Sequence, residues 1–188
     1  MGTDNVEGDE VEAFGFKRLT VENWLLPDKA ISNLVWCTAP SFTQSVTPQS
    51  LASQVLAVQL TDHAPLEVRK LFEVAKGSLC YGAFFYPLYT LGAEQLFRVL
   101  DTALDARCRL AGCQKPKMTF ADRIEWAAKR GLFDKSTAGR WQAARELRNQ
   151  ASHAERQSIY TPGMALEILH YTAGCINELF FPLSGNQR

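Results

Sequence analysis

The sequence predicts an all-α protein, a bundle of four to five helices preceded by a short helical N-terminal extension. Three observations predict it. Residues 66–111 are rich in Leu, Ala, Glu, Lys and Arg, with Leu71, Phe72, Ala75 and Leu79, then Leu96, Val99, Leu100, Ala103 and Leu104, at helical spacing. Threonine–proline pairs at Thr47–Pro48 and Thr161–Pro162 combine a cap with a first-turn residue. Ala165, Leu169, Thr172, Ile176, Leu179 and Phe180 form one apolar stripe before Pro182.

Taken in chain order, residues 1–13 read as an acidic flexible lead-in, with five carboxylates among few apolar anchors. Residues 14–65 form the helical extension, broken by Pro27, Pro40, Pro48 and Pro65. Within it, Asp28 is expected to cap a helix running through Trp36, and Thr47 one running to about Leu60. Residues 66–182 form the bundle, and 183–188 a flexible tail. Gly82 and Pro87 place a break in the 66–111 helical stretch near Tyr81 to Tyr89. The aromatic cluster Phe84, Phe85, Tyr86 and Tyr89 there suits core packing better than an exposed stacking platform. Thr119 and Asp122 start a short helix to residue 130, and a longer helix runs from Ser136 to about His153.

A chain of 188 residues, 46% of them hydrophobic, is the size of one domain with its own core. Its 20 basic and 20 acidic residues cancel, which excludes the strong positive field of a protein that coats nucleic acid. The charge is uneven, however. Residues 1–66 hold eight acids and three bases, whereas 67–119 and 120–160 each hold eight bases and five acids. Any polyanion contact must therefore use a local patch. The cysteines (37, 80, 108, 113 and 175) contain no CxxC pair, and His63, His153 and His170 have no HxxxH or HExxH spacing, so neither a metal nor another cofactor is expected. With an acidic start and no apolar run of about 18 residues, neither a secretory signal nor a membrane span is expected, and a cytoplasmic location follows.

The string RELRNQASHAE, from Arg145 to Glu155, carries the chemistry. Asn149 and His153 are four apart and share a helical face, while Arg148 is displaced from His153 by about 140° and needs its long stem to reach round. Arg148 is a permanent planar cation suited to an anionic transition state, His153 exchanges protons near neutrality, and Asn149 can orient the imidazole or hold an oxygen. Glu94 on the amphipathic helix is a supporting carboxylate, Arg145 widens the cationic strip, and Ser152 is a capping or contact hydroxyl. For Glu94 a solvated or salt-bridged role and for Ser152 a structural capping role is the simpler account, while for Arg145 a surface pair with Glu146 or Glu155 accounts for it equally well.

This string resembles the motif of the HEPN superfamily, whose nuclease members carry an arginine, usually followed by a polar residue, and a histidine four to six positions after it. Arg148, Asn149 and His153 match in turn. More loosely, the resemblance spans residues 66–181, with Leu91 to Arg98 in an early bundle helix and Trp141 to His153 in the motif helix; residues 1–60 have no counterpart. The resemblance implies a helical bundle that forms a homodimer, two motifs meeting in one cleft that cleaves an RNA substrate without a metal by 2′-hydroxyl attack. It also implies toxin or anti-phage roles for some members, with an antitoxin or a nucleotidyltransferase as partner. Other members are non-catalytic modules binding a protein or nucleotide, which is the alternative reading.

Overall fold

A computed structural model describes residues 16–39, 42–151 and 159–181. Its first elements are α1 (Lys29–Ser32), β1 (Val35–Ala39) and β2 (Phe42–Ser45). Asp28 caps α1, its Oδ1 accepting the Ala30 N–H at 3.1 Å. The helix expected through Trp36 stops at Ser32, and Val35–Ala39 instead pairs antiparallel with Phe42–Ser45, with a register shift between Cys37 and Ala39. The reason is local. Asn33 closes the helix with its N–H on the Ile31 carbonyl, and the β-branched and aromatic run that follows favours a strand.

The rest is helical: α2 (Pro48–Ala57), α3 (Leu66–Tyr81), α4 (Leu88–Leu110), α5 (Phe120–Lys129), α6 (Lys135–Ala151) and α7 (Pro162–Leu179). The starts follow the expected caps. Thr47 and Ser50 form a reciprocal capping box, as do Thr119 and Asp122, and Thr161 accepts the Met164 N–H. Asp134 accepts the Thr137 N–H at 2.7 Å at the start of α6. The break between α3 and α4 falls at residues 82–87, as Gly82 and Pro87 dictate.

Helix α4 is the hub, packing against α3, α5, α6 and α7. Its buried residues include Tyr89, Leu96, Phe97, Val99, Leu100, Ala103 and Ala106, far more than one stripe, as expected of a helix enclosed by others. Gly92 permits the closest approach: a Cβ there would lie 2.5 Å from Leu79 Cδ2. Phe84, Tyr86 and Tyr89 of the aromatic cluster pack into or against this core. Tyr89 is 1% exposed and sits edge-on to Tyr86 at 5.5 Å, and burial pushes its phenol well above the ordinary value.

The N-terminal extension shares the same core through Ile31, Leu51 and Val55. Asp28 ties it down, since its Oδ2 accepts the Tyr86 N–H at 3.0 Å and its own N–H donates to the Ala83 carbonyl at 2.8 Å. At the other side, the Asn177 side chain accepts from Thr61 N and donates to the Gln59 carbonyl. These bonds satisfy backbone groups that burial would otherwise leave unpaired.

Two contacts hold α6. Trp141, fully buried, stacks on Phe133 at 6.2 Å and meets Phe120 edge-on at 6.3 Å. Arg140 Nη1 donates to both carboxylate oxygens of Glu178 at 3.1 and 2.9 Å, its Nη2 donates to Cys175 Sγ at 3.4 Å, and its carbonyl accepts the Tyr171 hydroxyl proton. Burial pushes the Cys175 thiol up, with Arg140 opposing the shift.

Trp141→Ala is expected to destabilise the fold by about 3–5 kcal/mol in urea titration, because it empties the aromatic contact between α5 and α6. A pH dependence follows from the caps. Hydrogen bonds to Thr119 and Thr137 hold the Asp122 and Asp134 carboxyls below their ordinary value. A depressed folded value means stabilisation that is present above about pH 4 and is lost as the pH falls through the folded value. Circular dichroism of Asp134→Asn across that window is expected to show a shallower acid-side loss of helix than the parent.

Candidate functional site

Arg148 occupies the last turn of α6, where a cation complements the negative end of the helix dipole. Its Nη2 lies 3.9 Å from Asp101 Oδ2 on α4, longer than a hydrogen bond but close enough for an ion pair. The arginine side chain is 41% exposed and that of Asp101 22%. Asn149, next in sequence, is exposed. This end of α6 thus presents a guanidinium and an amide, donors suited to anionic oxygens.

Asp101 serves a second cation. Its Oδ1 accepts from Arg123 Nη1 of α5 at 2.6 Å, and Arg123 Nε donates to Asp105 Oδ1 at 2.9 Å. Asp105 also pairs with Arg109 at 3.1 Å, and Arg109 reaches Glu67 of α3 at 3.7 Å. Alternating charges therefore run from α6 across α4 and α5 to α3. The Arg123 side chain is 18% exposed, so its two carboxylates act in a partly desolvated setting where ion pairs are stronger than at the surface.

Glu94 lies two turns before Asp101 on the same face of α4 and is half-buried. Its described neighbour is Tyr160, whose phenol is pushed up by burial and by the Glu94 charge. The Tyr160 N–H donates to Thr90 Oγ1 at 3.1 Å. Arg148 and Tyr160, which flank the motif segment, thus meet one stripe of α4 at points about 10 Å apart along its axis. Ser152 and His153 lie outside the described residues. Arg145 is half-buried, and its Nε has no hydrogen-bond partner among the described residues.

Among the residues singled out from sequence, the structure brings Arg148 and Asn149 to one helix end and Glu94 to the same stripe of α4. The carboxylate that meets Arg148 is Asp101, and with Arg123 it escaped the sequence reading. A signal existed: Glu94, Arg98, Asp101, Asp105 and Arg109 follow one another at spacings of four, three, four and four. That is one charged stripe of a helix, within which any member can meet a neighbouring element. Among the described residues, no three His, Cys, Asp or Glu side chains gather as a metal donor set, and no helix is long and apolar enough to cross a membrane.

Compared with known proteins, the chain matches no family model, no curated sequence and no solved structure.

Asp101→Asn is expected to cost about 1–3 kcal/mol, between the values for exposed and buried ion pairs, because it leaves Arg123 and Arg148 short of a counter-charge. Arg148→Ala, at a more exposed position, is expected to cost under about 1 kcal/mol. Urea titration of the two variants checks the order; equal costs would show that Asp101 does not bridge the two arginines.

Proposed function

We propose that the protein is a metal-independent endoribonuclease working as a homodimer, with Arg148, Asn149 and His153 of each protomer facing their symmetry mates across one cleft. The observation that carries the reading is the setting of Arg148: a permanent cation on the last turn of α6, partly exposed, and held beside Asp101 within a string that continues to Asn149 and His153. Like the motif, this setting suits a scissile phosphate.

In the proposed reaction a ribose 2′-oxygen attacks the adjacent phosphorus while its proton passes to His153. The bond to the 5′-oxygen breaks, and that oxygen takes up a proton as it leaves. The products are a 2′,3′-cyclic phosphate and a 5′-hydroxyl. Arg148 stabilises the charge on the non-bridging oxygens, and Asn149 orients the imidazole or an oxygen. The biological setting proposed is a toxin or anti-phage effector in the cytoplasm, with an antitoxin or nucleotidyltransferase as regulating partner.

A second reading, a non-catalytic module that binds a partner protein or nucleotide, is favoured by the Arg148–Asp101 ion pair. A counter-ion role for Asp101 accounts for that arginine without any substrate.

The two readings separate on purified protein with single-stranded RNA in excess EDTA. Cleavage to cyclic-phosphate ends is expected, falling by about 100-fold or more in His153→Ala and in Arg148→Ala, and abolished by 2′-deoxy substitution at the cleaved nucleotide. Cleavage that needs a divalent ion, or that survives in His153→Ala, would overturn the nuclease reading.

A further inference from the structure

The connection from α4 to α5 lines a half-open pocket outside the motif. Helix α4 closes with the Gly112 N–H on the Arg109 carbonyl and the Cys113 N–H on the Cys108 carbonyl, with Gly112 in the left-handed region. Cys113 Sγ then meets Met118 Sδ at 3.4 Å, which folds the loop back toward the start of α5. Lys117 also takes a left-handed conformation, at φ 56°, unusual for a residue with a side chain. Loop and helix together bound about 310 Å³, at the lower end of the volumes that hold small ligands.

What lines this space is cationic and aromatic. Lys115 and Lys117 come from the loop, and Trp126 and Lys129 from α5. Lys115 and Lys117 are exposed and make no salt bridge with another described residue. Trp126 is partly buried against the core, and the Arg130 guanidinium lies over its ring, 5.3 Å from the centroid. That contact adds a fourth positive charge beside the ring. The two carboxylates in the wall are already engaged: Asp122 in the capping box with Thr119, and Glu125 in an ion pair with Lys129.

Two exposed lysines beside an indole suit a ligand that has both phosphates and a flat ring. An acidic peptide uses only the lysines, whereas a nucleotide of a single strand uses the lysines and the ring together. Arg123, one residue after Asp122, is the partner of Asp101, so α5 joins this cavity to the carboxylate beside Arg148. We propose that the cavity is a single-stranded RNA subsite, in which Trp126 stacks a base and Lys115 and Lys117 neutralise the flanking phosphates. The choice of RNA rests on the nuclease reading above and deepens it: the subsite selects unpaired strands and holds them beside the motif.

The test measures binding of a short fluorescein-labelled 2′-O-methyl oligoribonucleotide, which lacks the nucleophile and cannot be cut, to the full chain at several salt concentrations. The double variant Lys115→Gln/Lys117→Gln is expected to weaken binding and to lower the salt slope by about 1.4, the loss of two phosphate contacts on a single strand. Trp126→Ala is expected to weaken binding by roughly 5- to 150-fold, and Trp126→Phe to restore most of it, since any aromatic face can stack. If Trp126→Ala fails to fold, the lysine variant and Trp126→Phe decide the matter. Unchanged affinity and slope in the lysine variant overturn the proposal, as does tighter binding of a duplex or of a glutamate-rich peptide. The two readings fail separately. Cavity-dependent binding without cleavage of natural RNA supports the subsite and sinks the nuclease; undiminished cleavage by the lysine variant sinks the subsite and leaves the nuclease standing.

Discussion

The enclosure of α4 is the constraint on which the rest of the structure depends. A helix packed by α3, α5, α6 and α7 has little surface left for water, and all of its charged residues except Arg107 fall on the stripe that carries Glu94, Asp101 and Asp105. Two of these neighbours meet that stripe with a cation. Arg123 does so from α5 and Arg148 from α6, and the ends of both helices are thereby set against the same carboxylate. Gly92 and Leu79 show how tight the enclosure is, since even one methyl group at position 92 would collide.

Asp101 consequently has two tasks that are hard to separate. As a structural group it balances a partly desolvated arginine on α5. As a neighbour of Arg148 it holds a guanidinium at the end of α6 without closing to hydrogen-bond distance. The cation is thereby restrained beside a carboxylate while its side chain is still partly open to water. The Trp141 contacts and the Arg140–Glu178 pair hold the body of α6 against the bundle.

The charge distribution takes on meaning in this frame. A net charge of zero hides an acidic first third and a basic surplus over the bundle, and the fold gathers part of that surplus at the cavity between α4 and α5. Arg123 joins the wall of that cavity to the Asp101 pair.

Much of the helical order was legible in the sequence because it is written in short-range rules. Thr47–Pro48, Thr119 with Asp122, and Thr161–Pro162 start helices through bonds to their own next turn, and Gly82 with Pro87 interrupts one for equally local reasons. The hairpin at Val35–Ala39 was missed where two local preferences compete: a capped start at Asp28 points to a helix, and a β-branched run a few residues later ends it. The motif at Arg148 was legible as residue types at a spacing, but its counter-ion was not. Spacing along α4 put Glu94, Asp101 and Asp105 on one stripe and made them equivalent. Only the packing of α5 and α6 against that helix chose Asp101 for Arg123 and Arg148, because which charges meet depends on where separate helices cross, and no local rule encodes a crossing point.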